Sequence, residues 1–133
     1  MTAEQLRGNA ADEIARGQMA LLEAEKLLSV DLFYGAASRA YYAAFHFARA
    51  LCWAAGETPK THQGVAHFLR IHYIRTGRLP ADSDRRYTGL QSFREHADYE
   101  SAFTIDREGA GAAVVDARLL IERMGALLDD LGT

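Results

Sequence analysis

The segment SRAYYAAFHFARAL, residues 38–51, carries a serine, an arginine, a tyrosine and a histidine at helical spacing. Ser38, Arg39, Tyr42 and His46 fall on one stripe, preceded by Asp31 and Gly35 and followed by Arg49. The rest of the segment is alanine, phenylalanine, leucine and a second tyrosine, so most of this helix must be buried. A polar stripe on a buried helix needs partners: another helix, a second subunit or a ligand. A histidine can move a proton near neutral pH, and an arginine can hold an anion. For Arg39 two anions are open, the carboxylate of Asp98 within the bundle or a phosphate from outside.

A second polar group lies in FREHADYE, residues 93–100, where Arg94, Asp98 and Tyr99 sit on neighbouring turns and His96 points away from Arg94. His62, His67 and His72 are spaced by five, which makes no single helix stripe, and no cysteine or carboxylate beside them completes a metal set. The glycines of EGAGAA, residues 108–113, lack the strand that would precede a dinucleotide-binding loop. No glycine-flanked serine suggests a hydrolase triad. The expectation is a protein with neither metal nor cofactor.

The elements that must position these residues are helical. Thr2 and Gln5 form a capping-box pattern ahead of a helix ending near Ser29. Asp31 is read as the N-cap of a second long helix to about Ala55, with Gly56 as its left-handed terminator. After the proline-broken loop GETPKTHQG, Thr61 caps a third helix over about 62–76, stopped by Gly77. Asp82 or Ser83 caps a fourth over about 84–100, SAFTI is an irregular link, and Asp106 caps a last helix to about Leu131. Period-two patterning is absent. The chain of 133 residues is therefore expected to be one all-α domain over 1–133, an antiparallel up-and-down bundle of four to five helices.

Composition narrows the setting. The formal charge is −3, yet residues 60–96 carry seven basic residues against three acidic ones. A basic middle in an acidic chain suits a local phosphate-facing surface, or a solvated helix face. The single cysteine, Cys52, excludes an internal disulfide and reads as a small buried hydrophobe. No signal peptide or membrane-length apolar run is present, which points to a soluble cytoplasmic protein without membrane contact.

Taken together, the SRAYYAAFH helix, the PKTHQG loop and the REHADY segment resemble the small stand-alone HEPN domain proteins of prokaryotes, from about Asp31 to Tyr99. The resemblance implies an all-α bundle that homodimerises around a groove. It implies a partner, since many such proteins accompany a minimal nucleotidyltransferase in two-gene toxin–antitoxin modules. Active members are metal-independent ribonucleases bearing an arginine, four to six residues and a histidine on a late helix. Here Arg94 matches the arginine, but Tyr99 holds the place of the histidine, and a tyrosine with an ordinary pKa near 10 is a poor general base. An Arg-x6-His spacing occurs instead at Arg39 and His46. Arg39, His46 and Arg94 are thus the catalytic candidates, and Ser38, Tyr42, Lys60, Asp98 and Tyr99 the candidate groove or ligand-binding set. Three functions stay open: a nucleotide- or RNA-binding HEPN partner of a nucleotidyltransferase, a ribonuclease toxin, and a structural dimer without ligand.

Overall fold

The computed structural model describes residues 1–99 and 104–133. It contains α1 (Ala3–Ser29), α2 (Phe33–Ala54), α3 (His62–Leu69), α4 (Asp82–Tyr99) and α5 (Arg107–Asp130), with no strand among the described residues. The link expected at SAFTI lies partly outside the described residues.

Local chemistry sets most boundaries. Thr2 and Gln5 form the full capping box of α1. The hydroxyl of Thr61 accepts from Gly64 N–H at 2.9 Å, and the Asp106 carboxylate accepts from Gly109 N–H at 2.8 Å. Both bonds satisfy orphan donors at helix starts. Gly56 and Gly77 take φ of +81° and +78° after their helices, conformations that favour glycine.

Three expected boundaries differ. Asp31 does not cap α2: Leu32 holds that position without a side-chain cap. Asp31 instead adopts φ 63° in the tight α1–α2 turn, and its carboxylate pairs with Arg107 at the start of α5. The third helix stops being α-helical at Leu69 and continues as a π-helical turn over Arg70–Ile74. Asp82 and Ser83 lie inside α4; the Asp82 carboxylate accepts from Arg86 and Arg123.

Pair registers give the helix directions. Glu13 meets His46, Gly17 lies against Ala43 and Phe47, and Leu27 lies against Gly35, so α1 and α2 are antiparallel. Arg123 reaches Asp82 and Arg86 reaches Asp116, so α4 and α5 are antiparallel as well. Small side chains allow the close α1–α2 approach. Ala36, Ala40, Ala43, Ala44 and Ala48 are fully buried, and a Cβ on Gly17 would fall 2.4 Å from Phe47 Cδ1. Leu51, Cys52, Leu69, Leu120, Met124 and Leu128 complete the core. Burial pushes the Cys52 thiol up to about 12, so it stays protonated at neutral pH. Among the described residues no helix is long and apolar enough to cross a membrane.

Candidate functional site

The polar stripe of α2 divides into two parts with different partners. Toward the middle of the helix, His46 Nδ1 lies 2.6 Å from the Glu13 carboxylate of α1, and Arg49 Nε lies 3.5 Å from its other oxygen. The Glu13 side chain is only 6% exposed, which is possible for a charge because two potential cations face it. Burial raises its pKa, but the hydrogen bond and charge of His46, followed by the charge of Arg49, outweigh burial and leave it below the usual carboxylate value. Nδ1 of His46 is thereby committed to Glu13.

Nearer the start of α2 the stripe meets α4. Arg39 lies over the Tyr42 ring at 4.9 Å, and Arg94 lies over the same ring at 5.5 Å and over Tyr41 at 5.0 Å. Two guanidinium groups therefore share one aromatic platform. Arg94 donates to Asp98 at 2.8 Å within its own helix, while its Nε is buried without a hydrogen-bond partner. Asp98 thus belongs to Arg94 and not to Arg39. Among the described residues no carboxylate lies within ion-pair distance of Arg39.

The structure brings together Arg39, Tyr42, Arg94 and Asp98, with His46 one turn further along α2. Ser38 is half-buried on the same helix, and Lys60 is exposed in the loop before α3. Tyr99 ends α4 with 82% of its surface exposed. A separate cleft of about 480 Å³ opens between α3 and α4 and includes Gln63, His67, Arg70, Gln91 and Glu95, but none of the residues singled out above. Its Arg70 is already bound to Asp84 through Nε at 3.1 Å.

Three residues of the site have no counterpart in the sequence-based set. Glu13 comes from α1, 33 positions from its histidine. Tyr41 is fully buried beside the stripe. His62, whose five-residue spacing from His67 and His72 made no metal set in the sequence, stands apart from both. The Thr61 cap starts α3 at His62, whose ring stacks on Phe45 at 4.3 Å and meets the Tyr41 hydroxyl through Nδ1 at 2.5 Å. Its pKa is lowered, first by burial and then by the cations Arg94 and Arg49. The quoted PKTHQG loop was the only sequence signal for it. Burial pushes the Tyr41 phenol up to about 12.

A pH dependence follows. Between the lowered folded-state value of His62 and its ordinary value near 6.5, the unfolded chain binds more protons than the folded one. The His62 contribution is therefore complete above about pH 6.5 and is lost as pH falls. Glu13, also lowered, adds a loss of the same sign at more acidic pH. Thermal unfolding followed from pH 7.5 to 5 is expected to show a falling midpoint, and His62→Gln should flatten that fall; an unchanged slope in the variant would refute the assignment.

The sequence profile of the HEPN domain matches residues 10–127, which takes in every residue of this cluster. The chain is 30% identical over 111 residues to a Methanocaldococcus jannaschii protein named "Putative toxin MJ0605", covering 83% of this chain and 82% of that protein. It is 33% identical over 102 residues to the UPF0332 protein glr0978 of Gloeobacter violaceus, covering 77% of each. A UPF0332 protein of Thermotoga maritima matches at 25% identity over 116 residues, covering 87% of this chain and 88% of that protein. An all-helical bundle with a profile match over nearly its whole length places this chain in the HEPN domain family.

Proposed function

We propose that the Arg39–Tyr42–Arg94 cluster between α2 and α4 binds the phosphate of RNA or of a nucleotide, and that the protein acts as the HEPN component of a module with a minimal nucleotidyltransferase. The observation that carries the reading is the pair of guanidinium groups on Tyr42, with Arg39 lacking a carboxylate partner among the described residues. A cation without an internal counter-ion beside an aromatic face suits a phosphate followed by a stacked base. The toxin name of the Methanocaldococcus relative supports a module of this kind. A homodimer with this cluster at its seam belongs to the same proposal, and Lys60 and Tyr99, both exposed, would then extend the groove so formed.

A second reading, a metal-independent ribonuclease toxin, is favoured by one contact. Glu13 holds His46 by Nδ1, as an acid–base histidine must be held if its other nitrogen is to exchange a proton with substrate. The test of the shared part is binding of a short single-stranded RNA and of mononucleotides across a salt series. The logarithm of the affinity is expected to fall linearly with log salt, with a slope of about 0.7 per phosphate contact. Absence of binding at low salt would refute the proposal.

A further inference from the structure

We propose that His62 is the general base of this site and His46 its general acid, so that one protomer carries a complete two-histidine centre for RNA cleavage. The inference rests on the ribonuclease reading and names groups for it beyond the Arg39–His46 spacing.

The two imidazoles come from different elements and flank the same side chains. Their ring centres lie 5.9 Å (His62) and 6.3 Å (His46) from that of Tyr42, and 4.3 and 5.5 Å from that of Phe45. Tyr42 is also the ring on which Arg39 and Arg94 rest. Two proton-transfer groups and two cations thus surround one aromatic platform. In-line attack of a ribose 2′-hydroxyl on phosphorus needs that set: a base for the nucleophile, an acid for the leaving oxygen, and positive charge at the phosphorane.

The second contact of each ring separates the roles. Behind His46 stands a buried carboxylate, Glu13, so a proton on this ring has a counter-charge. Behind His62 stands a neutral phenol, Tyr41, while the charged groups around it are Arg94 and Glu95 of α4 and Arg49 and His46 of α2. Cations and burial keep His62 neutral and able to accept a proton. We assign its hydrogen to Nδ1, donated to the Tyr41 oxygen, which leaves the lone pair on Nε2.

In the step, Nε2 of His62 takes the proton of the 2′-hydroxyl as the 2′-oxygen bonds to phosphorus. The bond from phosphorus to the 5′-oxygen breaks, and His46 delivers its Nε2 proton to that oxygen. The products are a 2′,3′-cyclic phosphate and a 5′-hydroxyl, and exchange with water restores both rings. Tyr41 is a positioning residue, since it acts through His62.

The test uses a short single-stranded RNA and its analogue in which sulfur replaces the bridging 5′-oxygen at the cut site. A thiolate leaves without protonation, so the analogue bypasses the acid but still requires the base. His46→Gln, which keeps a donor toward Glu13, is expected to lose ~10²–10⁴-fold on RNA and to recover most of that loss on the analogue. His62→Gln is expected to lose a similar factor on both substrates with its RNA affinity unchanged. Tyr41→Phe, which keeps the buried ring, should displace the acidic limb of the pH–rate profile without changing affinity. Full activity of His62→Gln, or its recovery on the analogue, would overturn the assignment. A wild-type protein that binds RNA without cutting it would overturn the centre and leave the phosphate-binding reading standing. A wild-type protein that binds no RNA would remove the underlying reading itself.

Discussion

Replacing both side chains that face Glu13, with His46→Ala and Arg49→Ala together, is expected to destabilise the fold by about 3–5 kcal/mol at pH 7. The Glu13 carboxylate lies between α1 and α2 with almost no exposure, and its potential partners are His46 at 2.6 Å and Arg49 at 3.5 Å. Either partner alone still offers Glu13 one polar contact, so the single substitutions should cost less than half of the double one, with clear non-additivity. Adding Glu13→Leu to the double variant should recover most of the loss, because a leucine of similar volume suits a dry position better than an orphaned charge. The loss should also shrink toward pH 4, where an unpartnered Glu13 takes up a proton. Urea unfolding of the single, double and triple variants at pH 7 and pH 4.5 measures these effects. A double variant within 1 kcal/mol of wild type would show that the α1–α2 contact does not depend on this charge cluster.

Arg39→Ala is expected to separate binding from stability in the opposite way. Arg39 rests on Tyr42, is half-buried, and has no ion pair among the described residues, so its removal breaks no internal salt bridge. The melting temperature should stay within a few degrees of wild type. A charge-assisted contact to phosphate contributes about 1.5–3 kcal/mol, so affinity for a short RNA or nucleotide should fall by about 10- to 150-fold. Asp98→Ala is the control: it frees Arg94 from its intrahelical partner and should not weaken binding as Arg39→Ala does. If Arg39→Ala lowered stability sharply and left binding intact, the arginine would be a structural group and the phosphate-binding reading would be wrong.

These two expectations arise from one helix face that looks uniform along the chain. Ser38, Arg39, Tyr42, His46 and Arg49 share a stripe by periodicity alone, and α2 confirms the helix that carries them. The opposing groups could not be read in the same way. His46 is held by a glutamate 33 residues earlier, within a helix read only from its capping box and its end near Ser29. An Arg39–Asp98 pair was one of the two pairings that the sequence left open for Arg39, the other being with a phosphate from outside. Asp98 has a closer claimant in Arg94, one turn back on α4, and an i,i+4 pair needs no tertiary contact to form. His62 was visible as a residue but not as a participant, because its neighbours Phe45 and Tyr41 belong to another helix.

What the sequence determined by itself is the set of features fixed by interactions within about one turn: five helical segments, the Thr2–Gln5, Thr61 and Asp106 caps, and the glycine stops at 56 and 77. Such features depend on steric limits and hydrogen bonds between residues three or four apart, which composition and spacing record directly. Only the tertiary structure decided that Asp31 turns to Arg107 instead of capping α2, and that Glu13 closes on His46. It alone places His62 beside the arginines. Those choices are competitions among side chains far apart in sequence, settled by which helices pack together and at what register.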